Sequence, residues 1–166
     1  SASNPAIPPN CAPAGGRLVS EPISEYTLGL YATEDYLSAH GDPATVDDVS
    51  AHPLIWYVDS LLQVGDLDLD KHLPGAVPRL MSTNVFAQLE ATRSGGGIGL
   101  LPAFVADRHR ELRRILPDTV DVRLGFALAA RRERLTSPAV QAIRAAVRAE
   151  VSARDGELLP GGGPIG

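Results

Sequence analysis

Cysteine is almost absent from this sequence, because Cys11 is the single one among 166 residues. One thiol excludes an internal disulfide, and it excludes zinc and iron–sulfur sites built from several cysteines. No apolar run approaches the ~20 residues that a membrane-spanning helix needs. Residues 1–16 lack the charged start and long apolar stretch of a signal peptide. These absences exclude a disulfide scaffold, a thiolate metal site and a membrane protein, and they favour a cytoplasmic location.

Positive charge is scarce as well. Fifteen lysines and arginines stand against 20 aspartates and glutamates, which gives a net charge of −5. The arginines cluster in two runs, at 108–114 and 131–134, and acidic residues dilute both. Holding a phosphate backbone requires a concentrated basic face. We therefore interpret both runs as solvated surface, with nucleic-acid contact as the weaker alternative.

Strand and helix signals alternate along most of the chain, which has 44% hydrophobic residues and so fits a globular protein. The alternation predicts an α/β fold with a sheet that is at least partly parallel. Helices are predicted to start at the capping positions Thr33, Thr45, 82–84 and Ser137. Strands are predicted at 17–20, 26–31, 54–59, 79–81, 98–102, 112–116 and 120–130, the last being the longest.

Two of these helices carry a defined apolar face. In the helix after 82–84, residues Val85, Phe86, Leu89 and Thr92 share one side. In the final helix, with Pro138 at its first position, four aliphatic residues form a stripe and three arginines are predicted to face solvent. The stripe consists of Val140, Ile143, Val147 and Val151, and the arginines are Arg144, Arg148 and Arg154.

The remaining segments carry no periodic pattern. Residues 1–16 and 153–166 are rich in proline, glycine and small residues, and we predict flexible tails. Residues 60–77 are predicted to form an irregular excursion on the surface. The glycines of SGGGIG (94–99) follow a helix and precede a strand, which is the reverse of the order in a dinucleotide-binding loop. They indicate a helix C-cap instead.

No set of residues indicates catalysis. The histidines lie in polar, loop-like contexts, and neither a HExxH nor a GxSxG motif occurs. We interpret them as surface or capping residues and expect neither an enzyme, a bound metal nor a cofactor. They are His40, His52, His72 and His109.

The polar group with the clearest functional pattern is Ser82-Thr83-Asn84, where a predicted strand ends and a helix begins. A helix N-terminus offers N–H groups and the positive end of its dipole to an anion. In an open α/β sheet, ligands collect at this edge. Simple helix capping is the alternative for these residues. Tyr57 is predicted to pack in the core or to turn its hydroxyl toward a cleft.

Three segments, in this order, resemble LysR-type transcriptional regulators. LYATEDYLSAHGDPATVDDVSAHPLI (30–55) is similar to the family's LYASPAYLARHG-P-TP-DLA-H-LI stretch. STNVFAQLEATRSGGGIGLLPAFVAD (82–107) is similar to its S-N-hydrophobic helix followed by a glycine-rich GxGIxLLP turn. Residues 112–151 resemble the family's ending, which runs from LVxLLP to VxAFIDFL.

The resemblance implies a periplasmic-binding-protein-like (type 2) effector domain, here the second lobe plus part of the first. The partial domain would span 17–152 and the second lobe about 31–117. A small, anionic organic effector would bind between the lobes of a dimer or tetramer, with Ser82, Thr83 and Asn84 at positions where family members contact it. DNA would be bound only by a winged helix-turn-helix outside this chain. The alternative function is a standalone solute-binding protein of the same fold.

Overall fold

The computed structural model describes residues 18–58 and 67–160. The chain divides into two compact units. Unit 1 consists of Ser1–Tyr26 and Leu124–Gly166, and unit 2 is the continuous stretch Thr27–Arg123. The predicted second lobe, about 31–117, falls inside unit 2. The predicted tail at 1–16 lies outside the described residues.

Strands and helices alternate along the described chain, which confirms the predicted α/β class. The strands are β1 (Leu18–Thr33), β2 (Leu54–Trp56), β3 (Pro78–Met81), β4 (Ile98–Pro102), β5 (Leu112–Ile115) and β6 (Val122–Arg131). The helices are α1 (Glu34–His40), α2 (Val46–Val49), α3 (Leu69–His72), α4 (Val85–Arg93), α5 (Ala103–Ala106), α6 (Pro138–Ala153) and α7 (Asp155–Leu158).

The sheet of unit 2 is mixed, as the sequence predicts. Its strand order is β3-β2-β4-β1-β5. β2 runs parallel to both β3 and β4, whereas β1 is antiparallel to β4 and to β5. The three parallel strands therefore end at the same edge of the sheet, and this edge is where Ser82 follows β3.

β1 corrects two predictions. The runs at 17–20 and 26–31 belong to one strand of 16 residues, and β1, rather than the 10-residue β6, is the longest strand. The residues between the two runs are half-buried except for Glu25, which is exposed, and polar side chains are tolerated at such positions of a strand. Glu21, for example, pairs there with two arginines of α6. Full burial begins only at Thr27.

The core of unit 2 covers both faces of β1. Leu28 and Leu30 are fully buried on one face. On the other face, Tyr31 packs with Leu89 of α4 and with Leu101 at the end of β4. The Tyr31 hydroxyl donates a hydrogen bond of 2.8 Å to Asp107 Oδ1, and burial together with this carboxylate raises the pKa of Tyr31.

The predicted surface excursion at 60–77 is wrong for its second half, and its first part lies outside the described residues. Leu67, Leu69 and Leu73 are buried, the last two around helix α3. The Trp56 indole Nε1 donates to the Leu67 carbonyl oxygen over 2.9 Å, which ties this segment to β2. Because the leucines of this segment show no regular spacing, the sequence predicts neither a helix nor a strand there. The leucines are nevertheless buried, since the backbone is held in place by the hydrogen bond from Trp56.

The predicted face of α4 is only partly correct. Leu89 and Thr92 are buried as expected, but Phe86 is 68% exposed and the third buried residue is Gln88. Gln88 turns inward because its amide hydrogen-bonds the ends of two strands. The helix closes on the glycines as predicted: Gly95 has φ +79°, in the left-handed region that glycine favours.

Helix α6 of unit 1 begins with Pro138 at its first turn, as predicted, although the Ser137 side chain makes no capping hydrogen bond. None of its residues is buried, and Ile143 of the predicted stripe is 59% exposed. Arg144 and Arg148 both form ion pairs with Glu21 of β1. Arg148 is exposed, as predicted, whereas Arg144 is half-buried, so the prediction of a solvent-facing side chain is wrong for Arg144 alone of these two. Helix α7, with Leu158 buried, lies within the stretch predicted as a C-terminal tail.

Candidate functional site

The four residues singled out from the sequence follow two paired strands. Trp56 at the end of β2 is opposite Met81 at the end of β3 in the parallel ladder. The next residue of each strand, Tyr57 and Ser82 respectively, therefore stands at the same edge of the sheet. The Ser82 N–H donates to the Trp56 carbonyl oxygen over 3.0 Å, which extends the ladder by one bond.

Asn84 caps helix α4. Its Oδ1 accepts hydrogen bonds from the N–H groups of Phe86, at 2.9 Å, and of Ala87, at 3.4 Å. The Asn84 N–H in turn donates to Ser82 Oγ over 3.1 Å. The capping alternative is therefore what the structure shows for Asn84. Two of the N–H groups that a free helix terminus would offer to an anion are occupied by this cap.

What remains at this helix terminus is a set of side-chain donors. The Ser82 oxygen accepts one bond, but its hydroxyl proton is available for another acceptor. Thr83 is exposed and carries a second hydroxyl, and the Asn84 side chain keeps its NH₂ group. These donors, next to the positive end of a nine-residue helix, favour an acceptor with negative charge such as a carboxylate.

Tyr57 is buried, with 7% of its surface exposed. This burial agrees with the core alternative of the prediction. Its backbone position after Trp56, at the same sheet edge as Ser82, is compatible with the cleft alternative.

Gln88 is the residue of this site that the sequence did not reveal. It is fully buried, and its Nε2 donates to the Ser82 carbonyl oxygen over 2.5 Å and to the Trp56 carbonyl oxygen over 3.4 Å. Its Oε1 is buried without a hydrogen-bond partner in the described part of the chain. Gln88 therefore supports the loop that carries the donors. Its position one turn after the helix cap is the only sequence signal for this role.

Thr92, a second buried polar residue, helps to hold α4 against the sheet. Thr92 Oγ1 donates to the Gln88 carbonyl oxygen over 2.8 Å. A Cβ on Gly99 of β4 would lie 2.2 Å from that hydroxyl oxygen, so the helix reaches the strand only because residue 99 is glycine. The donor loop thus rests on a helix that is fixed to three strands.

The described residues form neither a metal site nor a membrane-spanning helix. Within residues 18–58 and 67–160, no three His, Cys, Asp or Glu side chains are placed to hold a metal ion. Among the described helices, none combines the length and apolar character needed to cross a bilayer. The histidines His40 and His52 flank the Tyr36 ring, and His109 lies 3.8 Å from a Glu111 carboxylate oxygen.

The fold is that of the regulatory domains of LysR-type transcriptional regulators, which have a type 2 periplasmic-binding-protein-like architecture. The regulatory domain of CrgA from Neisseria meningitidis superposes with a TM-score of 0.68 at 17% identity, covering 80% of this chain and 68% of that one. The effector domain of AmpR from Pseudomonas aeruginosa superposes with a TM-score of 0.63 at 21% identity, covering 85% and 68%.

Sequence comparison is more specific. The family model of the LysR substrate binding domain matches residues 8–152. An uncharacterized HTH-type transcriptional regulator of Haemophilus influenzae is 32% identical over 107 residues, which cover 61% of this chain and 37% of that protein. The chain belongs to the LysR substrate-binding domain family, as the three sequence segments predict. It spans little more than a third of the length of that relative.

Proposed function

We propose that this chain is the effector-sensing part of a LysR-type transcription factor, acting in the cytoplasm and without enzymatic activity. The observation that carries the proposal is the donor set of Ser82, Thr83 and Asn84 at the shared edge of three parallel strands, in a chain of this family. The family relatives are transcription regulators, which favours this function over a standalone solute-binding protein.

The ligand we propose is a small organic carboxylate. The side-chain donors and the N-terminus of α4 both stabilise negative charge. The sheet edge places them where α/β proteins bind ligands. Tyr57 is proposed to join them through its hydroxyl once the ligand is present.

The longer protein would bind DNA through a winged helix-turn-helix and would act as a dimer or tetramer. An effector changes such a protein only to the extent that it prefers one of its conformations. The full-length protein should therefore change its DNase I footprint when the effector is added. A footprint that stays the same across all carboxylates that bind would contradict a sensing role.

Asn84→Asp tests the site while preserving the fold. A carboxylate oxygen still caps the helix and interacts favourably with its dipole, so the stability of unit 2 is expected to be unchanged or slightly higher. The substitution replaces the NH₂ donor by a negative charge, which should abolish carboxylate binding. Thermal shifts with a panel of carboxylates measure the effect, and the corresponding uncharged amides serve as controls.

Thr83→Val is the matched variant, because it removes one exposed hydroxyl and leaves the cap intact. We expect about tenfold weaker carboxylate binding with no change in melting temperature. If Thr83→Val and Asn84→Asp both bind carboxylates as the unmodified chain does, the site lies elsewhere.

A further inference from the structure

Unit 2 contains a polar cavity that the proposed function does not use. It has a volume of about 530 Å³ and lies between helix α1, the C-terminal end of α4 and the loop that precedes β5. This volume is within the range of small-molecule sites, roughly 300–1,000 Å³. The donor loop lies at the opposite end of α4, which is nine residues or about 14 Å long, so the cavity is separate from the proposed effector site.

Two arginines beside this cavity each bridge two carboxylates. The four nitrogen–oxygen distances lie between 2.5 and 2.9 Å, and the bridged groups are Glu90–Arg93–Glu111 and Glu34–Arg113–Asp42. Arg93, Glu34 and Glu111 belong to the cavity wall itself. Two guanidinium groups that face four carboxylates leave two negative charges unbalanced. A positively charged group is therefore favoured inside the cavity.

Two further charged side chains line the cavity, and these have no partner. Asp35 of α1 and Arg110 of the loop are both exposed. Among residues 18–58 and 67–160, neither side chain forms a hydrogen bond or an ion pair, and they do not pair with each other. Because their charges are opposite, only a ligand with both a positive and a negative group can satisfy the two together.

His40 adds a neutral acceptor to the same wall. Its Nδ1 lies 3.1 Å from the Tyr36 carbonyl oxygen. A carbonyl oxygen can only accept, so Nδ1 carries the proton and Nε2 of the neutral ring is left as an acceptor. The ring stacks on Tyr36 with centroids 4.4 Å apart, which fixes its orientation. This wall thus offers both a carboxylate and an imidazole nitrogen to an ammonium group.

We propose that this cavity binds a free amino acid in its zwitterionic form. The ammonium group would pair with Asp35 and face the excess negative charge of the two arginine-bridged groups. The carboxylate would pair with Arg110, whose guanidinium can bind it through two parallel hydrogen bonds. A simple carboxylate fits less well, because it would leave Asp35 unpaired and would approach the negatively charged wall.

4-Aminobutyrate, butyrate and butylamine test this proposal, since they share a carbon chain and differ in their charged ends. In ¹⁵N-labelled 166-residue protein, 4-aminobutyrate is expected to shift the amide resonances of Ala39, Gly95 and Arg110 in a saturable way. Its affinity should exceed that of either singly charged compound by at least about tenfold. Glycine and β-alanine extend the series to shorter charge separations. If none of the three amino acids shifts these resonances, or if butyrate or butylamine binds as tightly, the proposal is wrong.

Single substitutions identify the two charges that bind the ligand. Arg110→Gln should lower the affinity for 4-aminobutyrate to that for butylamine, and Asp35→Asn should lower it to that for butyrate. The matched controls are Arg79→Gln on β3 and Asp118→Asn, both exposed and outside the cavity wall, and they should change nothing. Because Asp35 and Arg110 are exposed and unpaired, no variant should change the melting temperature.

Exchanging the two charges separates recognition from a structural role. The double variant Asp35→Arg with Arg110→Asp should recover part of the affinity that each single change removes, since the ligand can bind in the reversed direction. A double variant that binds no better than the single variants would contradict direct pairing with the ligand.

The donor loop provides the last control. Asn84→Asp should leave amino-acid binding intact, and Arg110→Gln should leave carboxylate binding at the donor loop intact, so the failure of one site is distinguishable from that of the other. If the amino acid instead shifts the resonances of Thr83 and Asn84, and Asn84→Asp abolishes its binding, it is a ligand of the donor loop and the proposal for the cavity is wrong.

Discussion

Single side chains decide how closely the elements of unit 2 approach each other, and the glycines show this most directly. Gly97 has φ +140°, and a Cβ there would lie 2.1 Å from the Pro53 carbonyl oxygen. Gly75 also has a positive φ, of +76°, but nothing lies within 4 Å of its Cβ position. At both positions a residue with a side chain would have a strained backbone. Only at Gly97 would its Cβ also clash with a neighbouring atom.

Gly97→Ala is expected to destabilise the protein by about 3 kcal/mol or more, because it combines left-handed strain with a clash against backbone. Gly75→Ala should cost only about 1 kcal/mol, which is the strain alone. Chemical denaturation of both variants measures the difference. Equal losses would mean that the β2–β4 contact relaxes freely around residue 97.

His52 is expected to make the stability of the folded protein depend on pH. Its Nδ1 lies 2.8 Å from the Tyr36 hydroxyl oxygen, and the Tyr36 ring stacks on His40. Burial and the nearby His40 lower the pKa of His52 below its ordinary value of 6.5, against a weaker opposing effect of Asp48. The unfolded chain thus binds a proton at His52 more readily than the folded chain does.

Stability should therefore fall as the pH drops below about 6.5, because the folded state has to keep His52 neutral or accept a buried charge. His52→Gln should flatten this part of the profile, as followed by denaturation midpoints between pH 7.5 and 5. His72→Gln, on α3, is the control and should leave the slope unchanged. A slope that survives in His52→Gln would assign it to other groups.

At the scale of elements, polar as well as apolar side chains attach α4 to the sheet. Gln88 joins it to the ends of β2 and β3, and Thr92 fits against Gly99 of β4. The sheet edge that carries the donor loop is thereby fixed. Among residues 18–58 and 67–160, no group donates a hydrogen bond to the buried Gln88 Oε1, so one polar atom of this attachment is left without a partner there.

Gln88→Leu should cost less than about 2 kcal/mol, because it removes the donor and the unpaired acceptor together and roughly conserves volume. Gln88→Glu, of the same shape, should cost about 3 kcal/mol or more at pH 7, because a carboxylate would be buried against two carbonyl oxygens.

The pH dependence of Gln88→Glu identifies the cause of that loss. Burial would raise the pKa of the introduced carboxyl above about 4.3, its value in the unfolded chain. The variant should therefore approach the stability of Gln88→Leu below that pH and lose stability as the pH rises. A pH-independent loss would indicate a packing defect instead of a buried charge.

The elements were predictable from the sequence where a local signal dictates them. Thr33 and Thr45 cap α1 and α2 as expected, and Thr45 forms a full capping box with Asp48. The errors concern partners distant in sequence. Nothing near Arg144 indicates Glu21, and Phe86 is more apolar than Gln88, although Gln88 is the residue that packs inward. For the site, the sequence predicted the donors but not the buried residue that supports them.

At the scale of the whole molecule, the chain passes between its two units at residues 26–27 and 123–124. Arg114 lies close to both passages within unit 2. It pairs with Asp121 over 2.7 Å, and a Cβ on Gly29 would lie 2.5 Å from its Nε. In the turn that joins Arg114 to Asp121, Leu116 adopts a positive φ of 49°. Its carbonyl oxygen accepts hydrogen bonds from the N–H groups of Thr119 and Val120.

Gly29→Ala should displace the Arg114 guanidinium and break its pair with Asp121, at a cost of about 1–2 kcal/mol. Arg114→Ala should cost a similar amount. Because both changes remove the same contact, the double variant should be more stable than the sum of the single losses predicts, by at least about 0.5 kcal/mol. Strict additivity in denaturant titrations would show that Gly29 and Arg114 act independently.

The continuous unit 2 also has a consequence for synthesis on the ribosome. Unit 2 is one uninterrupted stretch, whereas unit 1 needs Leu124 and the residues after it. Since chains emerge from the N-terminus, every residue of unit 2 has left the ribosome before β6 and α6 are complete. The nascent chain can thus fold the sheet of unit 2 first. The first half of β1 must wait for its pairing with β6 until Leu124 and the residues after it have emerged.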